Sequence, residues 1–181
     1  IALRDENVVA FLVMLRHCEG TSDGGGYSRL FGGAHFDSFA DHPRSPQTHK
    51  LGGKPITSTA AGAFQFLSRT WDGLVKQYGF KDFSPESQDL GAVALIKGRK
   101  ALDDVIAGRF DVAVMKCNKE WASLPGSPYG QPVVTIKKAR EVYEQAGGSY
   151  AANPAQAEKE APVGPFVIPA ISAVIELLPK L

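Results

Sequence analysis

The chain has little sulfur and almost no charge bias. Of 181 residues only two are cysteine, two methionine and two tryptophan, and Lys plus Arg (20) nearly balance Asp plus Glu (19). A formal net charge of +1 provides no basic field of the kind that nucleic-acid binders carry, so no nucleic-acid partner is expected. Cys18 and Cys117 lie far apart and form no CxxC pair. One long-range disulfide and two free thiols both stay open. Each cysteine sits in a helical apolar pattern, which favours thiols behaving as small hydrophobes. A basic leader segment is also missing: Asp5 and Glu6 stand where its positive charges would be, so no signal peptide is expected. The apolar run in 166–181 falls short of the roughly 20 residues that span a bilayer, and it contains Pro169 and Glu176.

What is present suits one core-forming domain with an appendage. Hydrophobic residues make up 44% of the chain, enough for a packed interior. Residues 5–18 are apolar almost all round (Val8, Val9, Phe11, Leu12, Met14, Leu15), which predicts a helix buried on most sides and ended by Gly20. Residues 22–57 are punctuated by Gly24-Gly25-Gly26, Gly32-Gly33, Gly52-Gly53 and by Pro43, Pro46 and Pro55, and predict loops with a small antiparallel sheet. Helices are then expected after Ser68 up to Gly79, after the Ser84-Pro85-Glu86 start, and over 99–107, 111–122 and 135–146. The expected class is α+β, a mainly helical body with a small β lobe. Residues 1–148 form the body, 149–165 read as an Ala-, Pro- and charge-rich linker, and 166–181 as an apolar tail able to meet a membrane, a partner or the body itself.

Glu19 is the first residue with a chemical argument. Cleaving a bond between sugars requires an acid that stays protonated near neutral pH. A carboxyl at the end of an apolar helix has its pKa raised by desolvation. An isolated glutamate at a helix end is usually a solvated surface residue, so position alone does not assign it. The surrounding motifs add to the case: Glu19-Gly20-Thr21, then Asp41-His42-Pro43-Arg44, then Ser58 to Gln65 reading Ser-Thr-Ala-Ala-Gly-Ala-Phe-Gln, then Trp121 to Gly126 reading Trp-Ala-Ser-Leu-Pro-Gly, with Tyr129-Gly130-Gln131.

In this order these stretches resemble the phage lambda lysozyme family of endolysins, over about residues 7–148. The resemblance implies a lysozyme-like fold with a saccharide cleft between body and lobe, and peptidoglycan glycan strands as partner. It implies lytic transglycosylation, with Glu19 as acid and then base, and no cofactor. It also implies substrate contacts. Ala61-Gly62-Ala63-Phe64-Gln65 resembles the Gly-x-x-Gln element of lytic transglycosylases and goose-type lysozymes, in which Gln65 would bond an N-acetyl group or hydroxyl, Gly62 would let the backbone come close, and Phe64 would be a further substrate contact. Tyr129 and Gln131 would form a lip. Relatives often carry an acid after the Gly-Tyr of the lobe where this chain has Gly26-Tyr27-Ser28, leaving Asp23, Asp37 and Asp41 as the nearest carboxylates. A hydrolytic muramidase and an inactive wall-binding module are the competing readings. The protein is expected to act at the cell wall as a monomer, carried on a virion or tethered at a membrane if the tail serves that purpose.

Other residues have plainer explanations. Asp41-His42-Pro43-Arg44 reads as a side-chain turn with an Asp41–Arg44 pair. His35, His42 and His49 recur every seven residues, a spacing that matches no zinc pattern, so no metal is expected. Trp71 and Trp121 belong to the core by default, and the Gly24-Gly25-Gly26 run, without the Lys-Ser/Thr of a phosphate loop, reads as a mobile loop beside the cleft.

Overall fold

The computed structural model describes residues 2–152, and the proposed tail and most of the linker lie outside them. After a short 3-10 turn at Ala2–Arg4 come α1 (Glu6–Cys18), a second 3-10 turn at Gly26–Ser28, β1 (Gln47–Leu51) and β2 (Lys54–Ser58). The chain continues through α2 (Ser68–Tyr78), α3 (Pro85–Gly98), α4 (Leu102–Ile106), α5 (Phe110–Cys117) and α6 (Ile136–Gln145). The α+β class is as the sequence implied.

Helix α1 is the central element. The Asp5 side chain caps it by accepting from Val8 N at 3.0 Å, supplying one of the acceptors that a helix start lacks. Val8, Ala10, Phe11, Leu12, Met14 and Leu15 are buried, and the helix packs against α6 and α4. Val9 and Val13 face outward instead, so the burial is on one broad side rather than all round. Gly20, at φ 70°, turns the chain out of the helix in the left-handed region that glycine enters without a Cβ clash.

The later helices start where expected more often than they stop. Ser84 caps α3 and Thr135 caps α6, and Gly79 (φ 74°) ends α2. The helix expected over 99–107 begins only at Leu102, because α3 runs on to Gly98 and Lys100 takes φ 57°, which breaks the path between them. The helix expected over 111–122 is Phe110–Cys117; beyond it the amides of Glu120 and Trp121 close back on Cys117 O in a tight turn. Residues 149–151 belong to the body rather than to a linker. Tyr150 packs on Phe110 and Tyr143, Ser149 N donates to Asn7 Oδ1 at 2.8 Å, and Ala151 N donates to Gly108 O at 3.0 Å.

The sheet is one antiparallel hairpin, with Gln47 opposite Ser58 and Leu51 opposite Lys54. Its turn is Gly52-Gly53, both at positive φ, as a two-residue hairpin turn demands. Beneath the lobe, Trp71, Phe66, Phe80 and Phe83 form an aromatic cluster with Trp71 to Phe83 at 4.6 Å between ring centres. Both tryptophans are core residues, and both cysteines are free thiols. Among the described residues no helix is long and apolar enough to cross a membrane.

Candidate active site

Glu19 is the C-terminal cap of α1, its amide donating to Leu15 O at 2.9 Å. Gly20 then reverses the chain, and Thr21 drops into the interior, where its hydroxyl contacts Arg16 O at 3.1 Å and Ala63 O at 2.6 Å. The Glu19 carboxyl projects from this corner and accepts a hydrogen bond on Oε1 from the Ser123 hydroxyl. The residue keeps some contact with solvent, yet the protein crowded around the carboxyl raises its pKa to about 7. Desolvation disfavours the charged form, and the Ser123 hydroxyl, which favours it, offsets only part of that. Next to it, burial and then the charge of Glu19 push the Cys18 thiol up to about 12, so it remains neutral.

Residues 61–66 form a loop against this corner, held by bonds from five parts of the chain, Thr21, Arg29, His42, Gln88 and Trp121. Gly62 N donates to Arg29 O at 2.8 Å, and Ala61 and Phe66 exchange a pair of backbone bonds. The Ala63 amide donates to Gln88 Oε1 at 2.8 Å, and the Phe64 carbonyl accepts from the Trp121 indole at 3.1 Å. Gln88, fully buried on α3, also donates to Tyr27 O (3.0 Å) and Phe83 O (2.8 Å). Within this frame Gln65 takes φ 50°, a left-handed conformation that is strained for a residue with a Cβ and that clusters at functional sites. Its amide donates to Gly62 O at 2.9 Å and to Arg29 O at 3.2 Å. Both protons are engaged by backbone, and Oε1 has no protein partner among the described residues.

Two residues of the expected substrate set have other duties. The Phe64 ring is buried in the core, 1% exposed, and only packs; its carbonyl anchors Trp121. Gly62, at φ 79°, lacks a Cβ because one would run into the Gln88 amide and the Phe83 ring. The close approach it permits is that of Gln88. Tyr129 and Gln131 are exposed. The Tyr129 hydroxyl donates to Lys119 O at 2.9 Å, and the residue as a whole is exposed.

The carboxylates considered as a second acid are engaged elsewhere or exposed. Asp23 pairs with Arg29 at 2.6 Å. Asp41 pairs with Arg44 at 2.5 Å, which holds it below the ordinary carboxylate range, and Arg44 also bridges to Asp72. Asp37 is exposed. The turn reading of Asp41-His42-Pro43-Arg44 fits this geometry: the buried His42 ring donates from Nε2 to Phe66 O (2.8 Å) and accepts at Nδ1 from Arg44 N (3.0 Å). That pattern belongs to a neutral imidazole, and burial lowers its pKa. His35 meets Ser28 Oγ, and His49 lies edge-on to Phe31. Gly24-Gly25-Gly26 is drawn into a turn, with Gly25 N bound to Asp23 Oδ1 and Gly26 packed so closely on Thr21 O that no Cβ fits.

Sequence reasoning missed Ser123, Thr21 and Gln88 as site residues, although Ser123 and Thr21 lie inside the motifs quoted above and Gln88 inside Ser87-Gln88-Asp89, a stretch that resembles the same family. It also missed a polar network behind the loop. The Tyr27 hydroxyl donates to Asp89 Oδ1 at 2.8 Å, and the Arg16 guanidinium lies 4.5 Å from the Tyr27 ring centre. Two surface hollows lie apart from Glu19, one lined by Leu74, Tyr78, Leu95 and Glu120, the other by Met115, Val133 and Ile136.

A buried-end glutamate, a hydroxyl fixed on it and a cross-bonded Gly-x-x-Gln loop invite comparison with known proteins. The family model described as Endolysin matches residues 9–150. The chain belongs to the endolysin family. It is 43% identical over 146 residues to the endolysin of Escherichia phage lambda, an alignment covering 77% of this chain and 90% of that one. To the endolysin of Escherichia phage P2 it is 39% identical over 157 residues, covering 79% and 94%. Among solved structures it is similar to bacteriophage lambda lysozyme complexed with a chitohexasaccharide, with TM-score 0.75, 40% identity, and coverage of 80% of this chain and 96% of that one. A second lambda lysozyme structure matches with TM-score 0.69 and 39% identity at the same coverage. The α+β fold is thus lysozyme-like, and the endolysin is a glycosidase of the peptidoglycan-degrading class acting on the cell wall.

Proposed function

We propose that this endolysin is a lytic transglycosylase cutting the β-1,4 bond from N-acetylmuramic acid to N-acetylglucosamine, with Glu19 as acid and then base. The observation that carries the reading is the Glu19 carboxyl itself, raised to about 7 at the end of α1 while Asp23 and Asp41 are committed to arginines. At neutral pH a group titrating there is both a usable acid and, once deprotonated, a usable base. Glu19 gives its proton to the glycosidic oxygen as the C1–O bond breaks and that oxygen takes the bonding pair. The carboxylate then takes the proton of the muramoyl C6 hydroxyl as its oxygen closes onto C1. A 1,6-anhydro end results, Glu19 is protonated again, and no water is consumed. The nucleophile belongs to the substrate, so the second carboxyl of a water-using or covalent glycosidase is not required.

In this reading Gln65 accepts through Oε1 from an N–H or O–H of the glycan, and the Tyr129 ring stacks on a sugar face. Gln131 lies on the same exposed segment. Purified peptidoglycan provides the test. Glu19→Gln is expected to lower the clearing rate by about 10³-fold, within the range of a lost general acid. Equal clearing by wild type and variant would remove Glu19 from the mechanism.

A further inference from the structure

Among the described residues the Ser123 hydroxyl is the direct polar contact that the structure gives the Glu19 carboxyl, and it comes from 104 residues further along the chain. Its backbone is fixed on both sides. Ser123 O accepts from Val134 N at 2.9 Å. Leu124 is fully buried, and its amide donates to Trp121 O at 3.2 Å. Trp121 is in turn anchored on Phe64 O. The hydroxyl therefore sits on a rigid segment tied to the same loop that carries Gln65.

A serine has one proton to give, and here it goes to Oε1. The acid proton of Glu19 then resides on Oε2, the oxygen left for the glycan. We infer that Ser123 is a positioning residue that assigns the two Glu19 oxygens, one to itself and one to the substrate, and supports the negative charge appearing on Glu19 as the glycosidic oxygen is protonated. This rests on Glu19 being the acid. The bond exists in both protonation states but strengthens when its acceptor becomes charged, so it favours the moment of proton transfer over the resting acid.

The titratable groups around Glu19 do not duplicate that role. On α1, the Arg16 guanidinium bonds Thr21 O and Asp23 O and covers Tyr27, and Cys18 is a neutral thiol. His17 is the remaining titratable group in that last turn. On the segment carrying Ser123, Glu120 pairs with Arg99 at 2.7 Å, and beyond Gly20, Asp23 pairs with Arg29.

The experiment is a carbon-13 titration of the Glu19 carboxyl alongside kcat and KM against pH for wild type, Ser123→Ala and Ser123→Thr. Removing the hydroxyl withdraws a bond that favours the ionised form, so in Ser123→Ala the midpoint is expected to rise by about one pH unit. The alkaline fall of kcat moves up with it, kcat at neutral pH drops about tenfold, and KM stays level. Ser123→Thr, which keeps a hydroxyl, restores the midpoint and the rate. A midpoint and alkaline limb that stay at the wild-type pH in Ser123→Ala would overturn the inference, as would a threonine variant behaving like the alanine one. Glu19→Gln run in parallel keeps the two ideas apart. Turnover by that variant would sink the acid assignment, while the titration would still report whether Ser123 holds the carboxyl.

Discussion

Residues 61–66 and residues 128–133 are both glycine-bearing loops beside helices, yet the chain holds them in opposite ways. In the first, bonds arrive from Thr21, Arg29, His42, Gln88 and Trp121, and every residue but Gln65 is buried. In the second, every residue is exposed and the Tyr129 hydroxyl is tethered to Lys119 O. The difference teaches where the site is preorganised. A group whose position decides a reaction needs neighbours that fix it before substrate arrives, and Glu19, Ser123 and Gln65 share such neighbours. The role proposed for Tyr129, stacking on a sugar face, tolerates looseness.

Breaking the rigid side at its chemical centre has the largest expected effect. Besides the loss of clearing given above, Glu19→Gln is expected to fold at least as well as wild type. The Glu19 pKa is raised from 4.5 to about 7 on folding, so the folded chain binds the proton more tightly than the unfolded one. Its stabilising contribution is full below pH 4.5 and is lost as pH rises towards 7. The melting temperature of Glu19→Gln relative to wild type should therefore climb across that window, read by thermal unfolding at several pH values. A difference independent of pH would contradict the raised pKa.

Next comes the frame. Gln88→Ala leaves the Ala63 amide and the carbonyls of Tyr27 and Phe83 without their buried partner. A loss of about 3 kcal/mol in urea unfolding is expected, since each orphaned buried group costs about 1–3 kcal/mol before relaxation. Turnover by the variant's folded fraction should fall as well, because the loop it supports carries Gln65. Smaller effects sharpen the contrast between the loops directly. Gln65→Ala is expected to reduce kcat/KM by about tenfold, and Tyr129→Ala by about threefold with unchanged stability. The reverse order, measured on one defined glycan, would place recognition on the exposed lip.

Much of this was legible in the sequence, and the reasons differ by region. The ends of α1, α2 and α6 follow from local chemistry: Asp5 and Thr135 are caps, and Gly20, Gly79 and Gly147 take positive φ. Glu19 could be placed at the end of a buried helix for the same reason. The boundary between α3 and α4 depends on Lys100 entering the left-handed region, which its side chain does not advertise. Phe64 reads as a sugar contact beside Gln65 but turns inward, because the loop reverses at Gly62 under Gln88. Ser123 lies 104 residues from Glu19 in the chain, so no local pattern could join them. Gln88, a polar residue fully inside the core, becomes intelligible only when the three segments it ties are seen together.

The central claim is that one carboxyl serves both steps and that the glycan supplies the nucleophile. Mass spectrometry of peptidoglycan digested in water enriched in heavy oxygen tests it most directly. The account predicts 1,6-anhydromuramic ends carrying no oxygen from the solvent, and their loss in Glu19→Gln. Reducing muramic ends labelled with heavy oxygen would contradict it.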